Sequence, residues 1–507
     1  MKTLNSKIKI LAILTVCMVV SFNAAAQDTI RFTWKANAYE EKSFQIAATH
    51  GEMFVVSWDD STDSTYTGAG NNNVILHHTY STVGTYAVTI VAVTPDCSFT
   101  DLNCSFCQLS NLDVSKSTAL TYLNCHENQL SSLNLSNNAA LTELYCGKNP
   151  LNNLNVSNNT ALTVLVCWDT PISRLDVKNN TALVELSCYF NQLSSLDVSN
   201  NTALMELYCS NNKISNLILS NNTKLTRFIC ENNQINRLDV TNCTDLVYFN
   251  CSKNSLTNLD VSNNTELQDL YCDQNQLVRL NVSNNVKLAR LDCYNNHLPL
   301  SDLYIASKVV NGQGELGSHR LQQQKVNIGE ILFSEQSVFD SIYTDYVVIK
   351  DCFVASQSDY TVANGTIIFH TMGNYSVTMS NTAIVTSFWW DPVYVIVDIN
   401  VNNVGIVETH CNASLQIYPN PTTNQLRITN YELRENDVIE IYDVLGRKAP
   451  LIFPANTTPN PSKGGEYSTS AQFPSFGGEG VVIDVSHLSN GIYFLKTDNK
   501  VVKFIKQ

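Results

Sequence analysis

At 507 residues the chain is longer than one ordinary domain, and 44% hydrophobic with 15% charged residues is a globular composition. A formal net charge of −14 repels phosphates, which argues against wrapping nucleic acid or an anionic membrane and favours neutral or cationic partners. Beyond the N-terminus no segment approaches the roughly 20 uninterrupted apolar residues of a membrane span, so no transmembrane segment is expected in the mature chain.

The first 26 residues place Lys2, Lys7 and Lys9 before "ILAILTVCMVVSF" and then "NAAAQ". That basic, apolar, small-residue order predicts a secretory signal peptide cleaved between Ala26 and Gln27. A lipid anchor on Cys17 is the weaker alternative, because the branched Val16 precedes it where lipoprotein signals want a small residue. Residues 27–96 alternate short strands with polar turns, as a small β-sandwich does, and place His77 and His78 on opposite faces of one strand. The segments "SWDDS", "HHTY" and "GTYAVTI" resemble the polycystic-kidney-disease type of Ig-like module, with Asp59 standing where that module has its first glycine.

From Cys104 a cysteine returns every 21 positions, at Cys125, Cys146, Cys167, Cys188, Cys209, Cys230, Cys251, Cys272 and Cys293. Such a period signals a solenoid, in which each unit buries its apolar face only against its neighbours. Leu120, Leu123, Leu130, Leu133 and Leu135 recur in step with the cysteines. Asparagine stands three places after them, at Asn128, Asn149, Asn191, Asn212, Asn233, Asn254, Asn275 and Asn296, with Cys107 and Thr170 as exceptions. The pattern L-x-x-L-x-C-x-x-N-x-L resembles the leucine-rich repeat, and the resemblance implies a solenoid with caps over residues 97–318.

A strand alternates its faces, so Leu123 and Cys125 should point inward and Tyr122, Asn124 and His126 outward. The asparagine is expected to turn the chain and satisfy backbone groups. The second half of each unit, as in "LSSLDVSNNTA" at 193–203, is too short and too rich in Asn, Ser and Thr for a long helix. Extended or tight-turn backbone is expected there.

Export favours disulfides. In-register strands, however, lie about 4.8 Å apart with parallel side chains, whereas a disulfide needs Cβ atoms about 3.8 Å apart and facing one another. The ladder cysteines are therefore read as small packing thiols, with some disulfide or a soft metal as the lesser readings. Cys97 with Cys104 or Cys107, and Cys352 with Cys411, are further possible pairs that the sequence leaves open.

The outward strand positions carry aromatics and acids, among them Glu143, Glu185, Glu206, Asp269, Asp273 and Asp292. Large aromatics on a solvent-facing sheet anchor partners, since they bury much area at low entropy cost. A face binding protein or glycan is expected, centred on Tyr145, Trp168, Tyr208, Tyr248 and Tyr271. The competing reading is that tyrosine simply suits a strand.

Past the repeats, "SDLYIASKVV" predicts a helical cap and residues 319–405 a second β-sandwich whose "GNYSVTM" repeats the grammar of "GTYAVTI". Trp389 and Trp390 beside Asp391 are read as core, with a sugar platform as the lesser reading. At the end, "LQIYPNPTTNQLRI", "IEIYDVLGRK", "VIDVSHLSNGIYFLK" and "KVVKFIKQ" resemble, block by block, the type A C-terminal sorting domain of the type IX secretion system. That domain would occupy residues 412–507, with a Pro-, Gly- and Ser-rich insertion at 449–480. The resemblance implies a bacterium of the Bacteroidetes lineage and release outside, or attachment to, its outer membrane. Tyr418, Pro419, Asn420, Gly446, Gly491, Tyr493 and Lys503 then become candidate recognition residues for the secretion machinery.

No G-x-S-x-G, H-E-x-x-H, Walker or dinucleotide motif occurs. Glu143 and Glu185 would lie about 10 Å apart on an open sheet that cannot exclude water. The expectation is therefore a mainly β, non-enzymatic adhesin without cofactor or metal. Its alternatives are a structural surface spacer without a dedicated ligand and a glycan-degrading enzyme.

Overall fold

The computed structural model describes residues 28–310, 314–384 and 393–402, together with the backbone of the strands between 416 and 506. The expected signal peptide, Trp389, Trp390, Cys411 and Gly446 lie outside the described residues. Two compact units form: one runs to His297 and takes in Ile305–Leu316, the other comprises Leu298–Tyr304 and the chain from Gly317 onward.

The first unit opens with β1 (Thr29–Ala36), β2 (Glu41–Ala48), β3 (Met53–Ser57), β4 (Asp63–Thr67), β5 (Val74–Thr79) and β6 (Gly84–Ala92). Strict alternation in β1 buries Ile30, Phe32, Trp34 and Ala36 and leaves Arg31 and Lys35 in solvent. The buried polar tips are paired, as burial requires. Trp34 Nε1–H donates to the Tyr80 hydroxyl at 2.9 Å, which donates to the Trp58 carbonyl at 3.0 Å. His77 is exposed, whereas His78 stacks on Trp58 at 4.6 Å.

No break in hydrogen bonding separates these strands from the repeats. β7 (Phe99–Asn103) and β8 (Leu109–Asp113) come from the first coil. β8 joins the sheet of order β4-β3-β6-β1-β8, while β7 pairs with β2 on one side. On its other side β7 pairs in parallel with β9 (Tyr122–Asn124). From there the three-residue strands β10 (Glu143–Tyr145), β11 (Val164–Val166) and β12 (Glu185–Ser187) follow. On the opposite, turn-bearing side of the coils, β13 (Ser195–Asp197) pairs with β15 (Asn216–Ile218). Then β14 (Glu206–Tyr208), β16 (Arg227–Ile229), β17 (Tyr248–Asn250), β18 (Asp269–Tyr271) and β19 (Arg290–Asp292) complete a 12-stranded sheet that ends at β5.

Register is kept by the buried spine Leu123, Leu144, Leu165, Leu186, Leu207, Phe228, Phe249, Leu270 and Leu291, whose residues pair directly. Phe228 and Phe249 replace leucine in adjacent coils and stack at 5.2 Å and 10°. Every ladder cysteine is a fully buried free thiol. Cys97, Cys104 and Cys107 are free as well, so no disulfide staples the first coil.

Two places after each cysteine the chain turns through a left-handed residue, Phe106, Glu127, Lys148, Asp169, Phe190 and their successors, with φ of 51° to 58°. The asparagine that follows holds this turn. Asn149 Nδ2 donates to the carbonyls of Cys125 (2.9 Å), Cys146 (3.1 Å) and Gly147 (3.2 Å), and its Oδ1 accepts from Leu130 N–H at 3.0 Å. A second buried ladder, Asn138, Asn159, Asn180, Asn201, Asn222, Asn264 and Asn285, lies in the turn half and is interrupted at Cys243. Each of these donates to two carbonyls, as Asn159 does to Leu135 (3.1 Å) and Asn138 (2.8 Å), while the amide oxygens have no hydrogen-bond partner.

Segment Gly314–Leu316 covers the last strand of the first unit: Cys293 N–H donates to the Glu315 carbonyl at 3.0 Å. Gly314, at φ +118°, lies where a Cβ would meet the Leu291 carbonyl at 2.1 Å. The predicted helix forms as α1 (Leu300–Val309).

In the second unit the strand Tyr394–Asn402 pairs with Gly373–Ser380 and with the short strands Ser318–Arg320 and Gln324–Asn327. One device marks both modules. The Tyr86 hydroxyl donates to the Thr82 carbonyl at 2.8 Å and that of Tyr375 to Thr371 at 3.0 Å, each in a Gly-x-Tyr strand start. In the tail, Tyr418, Pro419 and Asn420 lie on Gln416–Asn420, Gly491 and Tyr493 on Gly491–Thr497, and Lys503 on the last strand opposite Phe494.

Candidate ligand-binding face

Because leucine and cysteine of each strand point inward, the residues before, between and after them form three outward columns that run from coil to coil. The first contains Tyr122, Glu143, Val164, Glu185, Glu206, Arg227, Tyr248, Asp269 and Arg290. The second contains Asn124, Tyr145, Val166, Ser187, Tyr208, Ile229, Asn250 and Tyr271. The third, just after the cysteines, contains His126, Gly147, Trp168, Tyr189 and Ser210.

Trp168 belongs to a run of rings that the separate strands bring together. Phe106 meets His126 at 5.6 Å, His126 meets Trp168 at 4.8 Å, Trp168 stacks on Tyr189 at 5.1 Å and 7°, and Tyr189 meets Phe190 edge-on at 5.6 Å. His126 and Trp168 are two coils apart; they touch because Gly147 between them carries no side chain. A Cβ there would meet the Trp168 carbonyl at 2.8 Å and His126 Nδ1 at 3.2 Å. Lys148 Nζ lies 5.4 Å from the Trp168 ring and 3.1 Å from the Glu127 carboxylate. Phe106 and Phe190, at the ends of the run, are 65% and 55% exposed.

Tyr145 and Tyr208 stand in the second column, and each turns its hydroxyl to the acid two residues earlier. Tyr145 donates to Glu143 Oε2 at 3.1 Å and Tyr208 to Glu206 Oε2 at 2.5 Å. Glu185 sits between them opposite Glu206 in register, with Ser187 in place of a tyrosine. Partial burial, then the neighbouring charges of Glu206 and Glu143, push its carboxyl above the usual range. Tyr248 and Tyr271 lie 5.4 Å apart and each carries an arginine. Arg227 covers Tyr248 at 4.1 Å; Arg290 lies 5.2 Å from Tyr271 and 3.0 Å from Asp292.

The five aromatics named from sequence thus fall into separate neighbourhoods. Phe106, His126, Tyr189 and Phe190, which with Trp168 make the ring run, were not among them. The glycine at 147 and the tandem Tyr189-Phe190 were the available signals. Two outward assignments are corrected, since Asp273 and Asp292 are buried. Asp273 accepts from Ser252 Oγ at 2.5 Å and Gln274 Nε2 at 3.1 Å. Asp292 accepts from Glu315 N–H at 2.9 Å beneath the covering segment. Alternation alone does not foresee the side chains of Ser252 and Gln274 that close over Asp273, nor the segment beyond the repeat that covers Asp292.

The tail, at residues 416–458, matches the family described as secretion system C-terminal sorting domain, which marks the chain for export to the cell surface or beyond. No curated protein matches. Among solved structures, the chain is similar to the functional domain of InlJ from Listeria monocytogenes, described as including a cysteine ladder. That match has 27% identity over 60% of this chain and 81% of that one, at a TM-score of 0.33. It is also similar to the leucine-rich-repeat protein LIC12759 of Leptospira interrogans, with 22% identity, 39% and 55% coverage and a TM-score of 0.36. A Listeria monocytogenes internalin, InlF, matches with 23% identity, 44% and 80% coverage and a TM-score of 0.32. The coils themselves, with their buried leucine spine, parallel three-residue strands and asparagine-held turns, define the architecture.

Proposed function

We propose that this leucine-rich-repeat solenoid, exported under a type IX sorting tail, is a secreted or surface-displayed binding protein whose strand face docks a macromolecular partner. The observation that carries the reading is the contiguous ring run from Phe106 to Phe190. Folding has no need of two phenylalanines more than half exposed at left-handed turn positions, and exposed aromatic surface of this kind marks interaction sites. Trp168 anchors the site, with Tyr145 and Tyr208 in the adjacent column; Tyr248 and Tyr271, already carrying arginines, extend it.

The test is binding of the exported chain to an array of glycans and surface proteins beside the Trp168→Ala variant. A ligand whose affinity drops about tenfold or more in a variant of unchanged melting temperature supports the proposal. Undiminished binding by the folded variant rejects it. No binding to any member of the array would favour a structural spacer, for which the unbroken sheet supplies stiffness.

A further inference from the structure

Resting on the reading of the strand face as a docking surface, we infer that its N-terminal half receives an extended polypeptide segment in which cationic and apolar side chains alternate. Charge is compensated unevenly along the face. In the C-terminal half, Arg227 and Arg290 are spent on Tyr248, Tyr271 and Asp292. In the N-terminal half Glu143, Glu185 and Glu206 share one column. Tyrosine hydroxyls are neutral donors to the first and last, and among the described residues none of the three acids forms an ion pair. Arg227 stands opposite Glu206 in register with its guanidinium over Tyr248, so the uncompensated acid centres on Glu143 and Glu185, and such a row is complementary to cations brought by a partner.

The ring run lies on the other margin of the same strands, four residues or about 13 Å away. A segment laid across the coils sends successive side chains to opposite sides, so alternate residues reach the acids and the rings. The three acids extend over three strand spacings, about 14 Å, close to two alternate-residue steps of an extended chain.

The rings also favour polypeptide over sugar. Stacking a pyranose needs a free aromatic face. One face of Trp168 is covered by Tyr189, at 7° between planes, and the other is approached by His126 and Lys148. The run therefore offers edges, with open faces only at its ends.

The experiment measures binding of two labelled synthetic peptides to the exported chain by fluorescence anisotropy, one of alternating Lys and Tyr, one of the same composition in separate Lys and Tyr blocks. It is repeated with E185Q/E206Q, with Trp168→Ala and with D239N/D260N on the turn-bearing side. The last variant removes the same charge from a chain of net −14. The expected result is preference for the alternating peptide, lost about tenfold in E185Q/E206Q and less than about twofold in D239N/D260N, with steep salt dependence. Equal losses in the two charge variants would expose general charge attraction and overturn the inference. So would equal binding of the two peptides. A glycan ligand lost in Trp168→Ala, with neither peptide bound, would overturn the cationic segment while sparing the face. Peptide binding indifferent to Trp168→Ala in folded protein would count against both.

Discussion

Asn149 concentrates more backbone satisfaction than any aliphatic side chain can, serving one buried N–H and three carbonyls from two coils. Asn149→Ala leaves the buried Leu130 N–H and Cys146 carbonyl unpaired, while the Cys125 and Gly147 carbonyls keep Asn128 Nδ2 and the Glu127 N–H, and should cost roughly 3 kcal/mol, whereas Asn158→Ala, losing one exposed bond to Ser136, should cost about 0.5. Denaturant midpoints would separate the two, and equal losses would deny the hub role. Thr170 is the natural defect in this ladder. Its hydroxyl has one proton for two acceptors, the Cys167 carbonyl at 2.9 Å and Asn191 Oδ1 at 2.7 Å, and Thr170 lacks the amide oxygen that meets the counterparts of Leu151 N–H in other coils. Thr170→Asn should raise stability by about 1 kcal/mol.

The thiols carry a pH signature. Burial pushes Cys125, Cys167 and Cys209 up to about 12 from an ordinary 9.0, so the folded state disfavours their ionisation. A raised folded value means stability that is complete below pH 9 and lost as pH climbs from 9 through 12. Each buried thiol should contribute about 1.4 kcal/mol per pH unit across that window. Unfolding midpoints between pH 7 and 11 should fall steeply above 9, and Cys209→Ala should remove one thiol's share of the slope. An unchanged slope would mean that this thiol titrates alike in both states.

At the scale of elements, coil period, inward spine, asparagine turn and non-helical return were all legible, because each repeats and so appears as a fixed spacing. The second buried asparagine ladder repeats too, yet in sequence it merges into a polar tract whose two adjacent asparagines differ only in direction. Asn158 is exposed and Asn159 fully buried. The ring run was missed for a different reason, since its joining contact depends on a missing side chain at Gly147, a coil away from either partner.

The turn half carries one conspicuous irregularity. Where Asp197 and Asp239 accept from the backbone two residues on, at 3.0 Å, the intervening coil has Ile218, 41% exposed. Ile218→Asp should restore the turn bond to Ser220 and remove exposed apolar surface, gaining about 0.5 to 1 kcal/mol. A destabilised or less soluble variant would show that Ile218 packs usefully where it stands.

Over the whole chain, the consequential feature is that the N-terminal strands and the coils share a sheet. A solenoid coil has neighbours on both sides except at its ends, and an uncovered end exposes both a strand edge and an apolar cross-section. Here β2 closes the β7 edge and β1 takes up β8, so the first coil is divided between two sheets. Sequence reading placed a boundary near residue 96 because composition and period change there. Strand pairing between residues as distant as Gln45 and Asn103 leaves no trace in either. Deleting 28–96 should therefore do more than remove a spacer. Loss of amide-exchange protection should start at β7 and β8 and spread through β9 toward β10, since each coil draws its stability from the next. Protection at β18 and β19, far along the stack, should fall least. Uniform protection identical to that of the full chain would mean that the first coil caps itself, and the N-terminal module would then be an independent unit joined by sheet geometry alone.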